Sequence, residues 1–225
     1  MLLLSLALML VMAGCVVLNP VIPLPNEAPL LPVVALQFSG RFTGSGAVVA
    51  ERGGWYYVAT AGHVIGAGDA KFLTVDGYPA EVVSSHSTAD VGLVRFRVGR
   101  VRYCVASLSQ AVVKQRVTTL AYVRLSGKIR RVAMPGWVSS VDDDLLYVTT
   151  GGGPGCSGSG VYTEDGAIVG VLVGGPVIWG TIWESFIRVI PAAKVRELLD
   201  AVSKAPQLLI STDNMTHEGV RYEQG

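Results

Sequence analysis

From Val33 onward the chain is cut into short runs of β-branched and aromatic residues, four to eight long, each closed by turn residues. That punctuation constrains the fold more than any other feature, because many short strands at close spacing predict a β-sandwich or barrel. The first set is VVALQF (33–38), GAVVA (46–50), WYYVAT (55–60), FLTV (72–75), AEVVSS (80–85) and VGLVRF (91–96). After a join near 105–112 come RVTTLAYV (116–123), KIRRVAM (128–134), GWVSSV (136–141), LLYVTT (145–150), GVYT (160–163), AIVGVLVG (167–174) and ESFIRVI (184–190). Asp76-Gly77 and Asp165-Gly166 are tight-turn dipeptides, and the second sits between two apolar runs as a hairpin signal. One segment differs. After Pro191, the spacing of Val195, Leu198, Leu199 and Val202 predicts a single amphipathic helix to about residue 204, followed by a polar tail over 205–225.

Composition narrows the function classes. Lys and Arg total 18 against 17 Asp and Glu, a net charge of +1, which excludes the strongly basic balance of a general nucleic-acid binder. Half of the residues are hydrophobic and the 27 glycines follow no triplet period, so disorder and collagen are excluded as well.

Residues 1–18, MLLLSLALMLVMAGCVVL, carry no charge, and Glu27 is the only charged side chain before residue 37. Small residues at Ala13 and Gly14 suit a signal-peptide cut. The Cys15 that follows them resembles the lipidated cysteine of a bacterial lipobox. Plain secretion and a retained anchor also fit, since 18 apolar residues just reach spanning length. All three readings export the body to the cell envelope or surface. Residues 19–32 hold five prolines and predict a semi-rigid extended tether. Cys104 and Cys156 remain for the body, and free thiols are expected there, although export would permit one bridge.

Three segments carry candidate chemistry, in this order: Ala59-Thr60-Ala61-Gly62-His63, Ala89-Asp90-Val91-Gly92-Leu93 and Gly155-Cys156-Ser157-Gly158-Ser159-Gly160. Each alone reads as a structural histidine, a strand-opening cap and a turn. Together they supply what an activated serine needs: a base, a carboxylate to hold that base in one tautomer, and glycines that leave backbone N–H groups open to an oxyanion. Few residues compete for these roles. His86 and His217 are the other histidines, and Asp69 and Asp76 are nearby carboxylates that open no apolar strand.

The order His, Asp, Ser with T-A-G-H, A-D-V-G-L and G-C-S-G-S-G resembles the trypsin/chymotrypsin-like serine peptidases, nearest to the compact bacterial branch that includes the HtrA-type enzymes. Gly44-Ser45-Gly46 and the closing Phe186-Ile187-Arg188-Val189-Ile190-Pro191 before a helix are also similar, so the likeness covers about residues 36–203. It implies an all-β fold of two six-stranded antiparallel barrels, over about 33–110 and 111–190, with a C-terminal helix over 191–204. It also implies a serine endopeptidase acting on polypeptides without metal or organic cofactor, with Ser157 as nucleophile, His63 as base and Asp90 as the orienting carboxylate. Gly155 and Ser157 would supply the oxyanion N–H groups. Cys156 stands where digestive relatives place an acid that pairs with a freed N-terminus, so activation by N-terminal insertion is not expected. Cysteine relatives make Cys156 a rival nucleophile, but the G-x-S-G register favours Ser157. No PDZ appendage is expected in the 22 residues after position 203.

The resemblance places the primary pocket at Gly151, near Leu172, Val173 and Gly174, and at Glu184. With no acid at the usual pocket base, it suits small or aliphatic side chains, and Glu184 opens an alternative for Lys or Arg. A non-cleaving scaffold of the same fold, and an esterase using the same residues, are the other function classes. Arg124, Lys128, Arg130 and Arg131 read as a solvated basic hairpin. Asp142-Asp143-Asp144 reads as a turn, with too few fixed oxygens for calcium.

Overall fold

The computed structural model describes residues 31–175, 177–178, 181–182 and 186–204. Cys15 and the leader, the tether up to residue 30, Glu184 and the tail from 205 lie outside the described residues. Strands β1 (Val33–Phe38), β2 (Arg41–Arg52), β3 (Trp55–Thr60), β4 (Leu73–Val75), β5 (Tyr78–Ser85) and β6 (Gly92–Phe96) close an antiparallel barrel in the order β1-β2-β3-β6-β5-β4. A one-turn helix, α1 (Gly62–Ile65), follows β3. Strands β7 (Arg116–Leu125), β8 (Lys128–Val141), β9 (Leu146–Thr149), β10 (Gly160–Thr163), β11 (Ile168–Gly174) and β14 (Ile187–Pro191) close a second barrel in the order β10-β11-β14-β9-β8-β7. Between β11 and β14 in sequence, β12 (Val177–Ile178) and β13 (Thr181–Ile182) make a separate ribbon. Pro191 ends β14, and α2 (Ala192–Lys204) begins at the next residue. The fold is therefore the two-barrel, chymotrypsin-like architecture with one closing helix.

Local chemistry explains the closure. The type I′ hairpin turn needs positive φ at both central residues. Ser39-Gly40, Gly53-Gly54, Asp76-Gly77 and Ser126-Gly127 all show it, with φ from 49° to 85°. Along β7, Val117, Thr119, Ala121 and Val123 turn inward while their neighbours are more exposed, the period-two pattern of a half-buried strand. All six residues of β1 are buried, because its outer side lies against β7 of the other barrel. The runs 128–134 and 136–141, read as two strands, form the single strand β8. Pro135 does not break it. The partner strand β9 ends at Thr149, opposite Trp137, so Pro135 lies beside an open edge, where proline is tolerated.

The first barrel is filled around an aromatic group in which Phe96 meets Tyr56, Tyr78 and Tyr103 at centroid distances of 5.4–6.4 Å. The second is filled by aliphatic side chains such as Val148, Val161, Leu172 and Val189, with Cys156 among them. Helix α2 joins the two. Its Val195, Leu198 and Leu199 are buried with the first-barrel core while it packs on β5, β6, β11 and β14. Among the described residues, no helix is long and apolar enough to cross a membrane.

Candidate active site

The buried strand β3 ends at Thr60, and the chain then turns through Ala61 into α1, lifting His63 to the surface. Asp90 comes from the loop that joins β5 to β6 and grips His63 twice. Its Oδ1 accepts from the His63 backbone N–H at 2.7 Å, and its Oδ2 lies 2.6 Å from Nδ1. A carboxylate oxygen accepts this bond, so Nδ1 is the donor, and in the neutral ring the lone pair then falls on Nε2. A Cβ on residue 62 would sit 2.9 Å from Asp90 Oδ1, which is why glycine precedes the histidine.

The loop that presents Asp90 is itself organised by His86. The His86 Nδ1 accepts N–H groups from Ala89 at 3.1 Å and Thr88 at 3.3 Å, and its backbone N–H donates to Val91 at 2.9 Å. Nε2 is then the protonated nitrogen, 3.1 Å from Glu197 Oε2 on α2. That bond first, and nearby Lys194 after it, hold the Glu197 carboxyl below its ordinary range. Both ring nitrogens of His86 are occupied, which removes it as a rival base.

Ser157 sits in a different kind of structure. Gly153-Pro154-Gly155-Cys156 closes with a bond from the Cys156 N–H to the Gly153 carbonyl at 3.0 Å, and Gly155 has φ +98°. Proline at the second position and a positive-φ glycine at the third are the signature of a type II turn. The chain is held just beyond it by Ser159 N–H to Cys156 O at 3.0 Å and Gly158 N–H to Leu172 O at 2.7 Å. The Ser157 carbonyl accepts from the Ser45 N–H on β2 at 2.8 Å.

Gly158 has φ +87°, and a Cβ there would lie 2.0 Å from Ser45 O and 3.1 Å from Ala61 N. The serine turn therefore lies flat on β2 and on the residues that lead into α1, and a side chain would push it away. Among the described residues, neither the Gly155 nor the Ser157 N–H donates to a protein acceptor. Cys156, 1% exposed, points into the second core, and burial pushes its thiol up, the reverse of what a nucleophile needs.

The sequence pattern of the trypsin-like peptidase domain family matches residues 44–171, more than half of the chain. This protein belongs to that family. Among solved structures, the active form of the Rv3671c protease from M. tuberculosis is similar with a TM-score of 0.61 and 20% identity, covering 76% of this chain and 80% of that one. The inactive form of the same protease gives a TM-score of 0.59 and 20% identity, over 76% and 88%. At that identity the likeness is one of fold. No curated protein is similar enough in sequence to count as a match.

Beside Ser157 the peptidase has a cleft of about 280 Å³. It is lined by the glycine-rich segment 152–154, by Leu172, Gly174 and Gly175, and by Phe186 and Ile187. Of the residues that the resemblance places at a primary pocket, Leu172 and Gly174 line this cleft. Gly151 is not part of the lining; a Cβ on it would face Met134 Sδ at 3.3 Å. Val173 is buried in the other core, as expected one residue along a strand from Leu172. Sequence reasoning did not single out Pro154, Gly175, Phe186 or Ile187 as lining. The Gly-Pro-Gly turn and the alternation of β14 are the signals that point to them.

None of the described lining residues is ionisable. Elsewhere, and again among the described residues, no three His, Cys, Asp or Glu side chains converge on a metal site. Of the acidic run, Asp142 Oδ1 accepts from the Asp143 N–H, and Asp144 pairs with Lys194 at 3.1 Å.

Proposed function

We propose that this trypsin-like peptidase is a serine endopeptidase with Ser157 as nucleophile, His63 as general base and Asp90 as its orienting carboxylate. The double hold of Asp90 on His63 carries the reading. It fixes the tautomer in which Nε2 can accept a proton from a serine hydroxyl, and it stabilises the imidazolium that forms. Ser157 Oγ attacks the scissile carbonyl as its proton passes to Nε2. The carbonyl oxygen, now negative, is received by the open N–H groups of Gly155 and Ser157. Collapse breaks the C–N bond, and the amine leaves with the proton from His63. A water molecule, deprotonated by the same nitrogen, then hydrolyses the acyl-serine ester.

The described lining of the cleft beside Ser157, which carries no charge, favours a small or aliphatic side chain on the acyl side of the cut bond. Its lining offers apolar surface and no described ionisable partner for a Lys or Arg. The chargeless leader, with Ala13-Gly14-Cys15 and the proline tether, supports export and lipid attachment at Cys15. Intact mass of the membrane-extracted protein tests that attachment.

The decisive experiment for the chemistry is fluorophosphonate labelling of the full chain beside Ser157→Ala and His63→Ala. Labelling of the parent that vanishes in both variants is the expected result, and Ser157→Ala should lower kcat by roughly 10⁶-fold. A folded parent that does not label, or peptide cleavage that survives Ser157→Ala, would instead favour the non-cleaving scaffold or another nucleophile.

A further inference from the structure

Strand β10 pairs with β7 only as far as Leu120, which faces Gly160, yet β7 continues to Leu125. Beyond Leu120 no other described strand takes that edge of β7. A side chain from the other barrel fills the gap. Ser45, on β2, is 0% exposed. Its Oγ accepts the Tyr122 N–H at 2.8 Å and lies 3.2 Å from the Tyr122 carbonyl. The same Oγ is 2.8 Å from the carbonyl of Gly155. A hydroxyl has one proton, and the shorter contact assigns it to Gly155.

The backbone of Ser45 is committed nearby as well. Its N–H holds the Ser157 carbonyl at 2.8 Å, and its carbonyl accepts the Thr60 hydroxyl at 2.7 Å. One residue thus fixes the carbonyls of Gly155 and of Ser157. Between those two pinned groups lies the Cys156–Ser157 peptide, whose N–H is one of the oxyanion donors proposed above. The other donor, the Gly155 N–H, belongs to the peptide just before the pinned Gly155 carbonyl. Glycine at 155 has the rotational freedom to let that segment turn if its carbonyl is released.

We propose that Ser45 is a positioning residue for the oxyanion pocket, its hydroxyl holding the Gly155 carbonyl so that the two N–H groups stay aimed at the reacting oxygen. This rests on the serine-peptidase reading. Ser45 touches neither substrate nor reacting atoms; it acts through the turn. Its removal should slow bond formation without weakening the preceding encounter.

The test is the inactivation of the full chain, Ser45→Ala and Ser45→Cys by a fluorophosphonate, with kinact and KI separated and thermal melting recorded. Ser45→Cys keeps the volume and carries the test if the alanine variant does not fold. The expected result is a fall in kinact of about 10- to 100-fold with KI unchanged, less than the roughly 10²–10³-fold cost of deleting an oxyanion donor outright. A variant that melts cooperatively and reacts at the parental kinact overturns the assignment, as does a rise in KI that accounts for the loss. A parent that does not react at all overturns the serine-peptidase reading and this assignment with it, an outcome visible before any Ser45 variant is compared.

Discussion

The two barrels hold their halves of the candidate site by different means. On the first barrel the proposed acid–base pair is held by side chains: Asp90 grips His63, and His86 ties the Asp90 loop to Glu197. On the second, Ser157 is held by backbone. Two positive-φ glycines bend the chain, and bonds to Gly153, Leu172 and Ser45 keep it bent. A site assembled from side chains can lose its chemistry while keeping its fold. A site assembled from glycine conformation loses its fold together with its chemistry.

The comparison breaks first at Asp90. Asp90→Asn should lower kcat by roughly 10⁴-fold while the melting temperature scarcely moves, because an amide can offer a donor to Nδ1 and upset the tautomer. Equal losses of stability and activity would erase the contrast. On the other side, Gly158→Ala places a Cβ 2.0 Å from Ser45 O at a φ of +87°, and should cost roughly 3–5 kcal/mol in urea unfolding. Parental stability in that variant would show that the turn has slack which the contact geometry denies.

Asp76 sharpens the comparison from the first barrel. Burial pushes its carboxyl up to about 6 from 3.8, although the Ala35 N–H, the Tyr103 hydroxyl and nearby Arg131 pull the other way. The folded state therefore binds this proton more tightly than the unfolded chain. The associated stability is fully present below about pH 4 and is lost as the pH rises to about 6, by no more than about 3 kcal/mol. Asp76→Asn should flatten that part of the stability–pH curve. An unchanged slope would mean that other carboxyls set it.

The smallest effect is expected at His86. His86→Leu strands two loop N–H groups and should cost about 1–2 kcal/mol, while His86→Asn, which restores an acceptor, recovers most of it. Equal melting of the two variants would show that the imidazole only fills space.

Much of this was legible in the sequence, for identifiable reasons. Short β runs are local patterns, so most strands could be drawn, and Asp76-Gly77 was visible as a turn. Ser39-Gly40 and Ser126-Gly127 have the same positive-φ geometry but a weaker residue signal. Proline hid the continuity of β8, because only the position where β9 ends makes it harmless. His63, Asp90 and Ser157 stood out through their immediate neighbours, and the structure brings the first two into contact.

The cleft was half legible. Leu172 and Gly174 lie on one strand, but Phe186 and Pro154 reach the cleft only through folding. Ser45 stood out only as part of Gly44-Ser45-Gly46; least legible were its hydroxyl partners, which stand 77 and 110 residues away.

Helix α2 has a consequence in time. Its Val195, Leu198 and Leu199 complete the core of the barrel that is synthesised first, Arg52 on β2 reaches the Leu199 carbonyl and the Ser203 hydroxyl, and Glu197 holds His86. A nascent chain whose first barrel has already left the ribosome still lacks the helix that seals it. Chains of this kind, dominated by contacts between distant segments, fold slowly, and their early parts wait for their late ones. The Asp90 loop thus gains its last anchor only when α2 emerges, and until then a growing chain carries an unfinished blade.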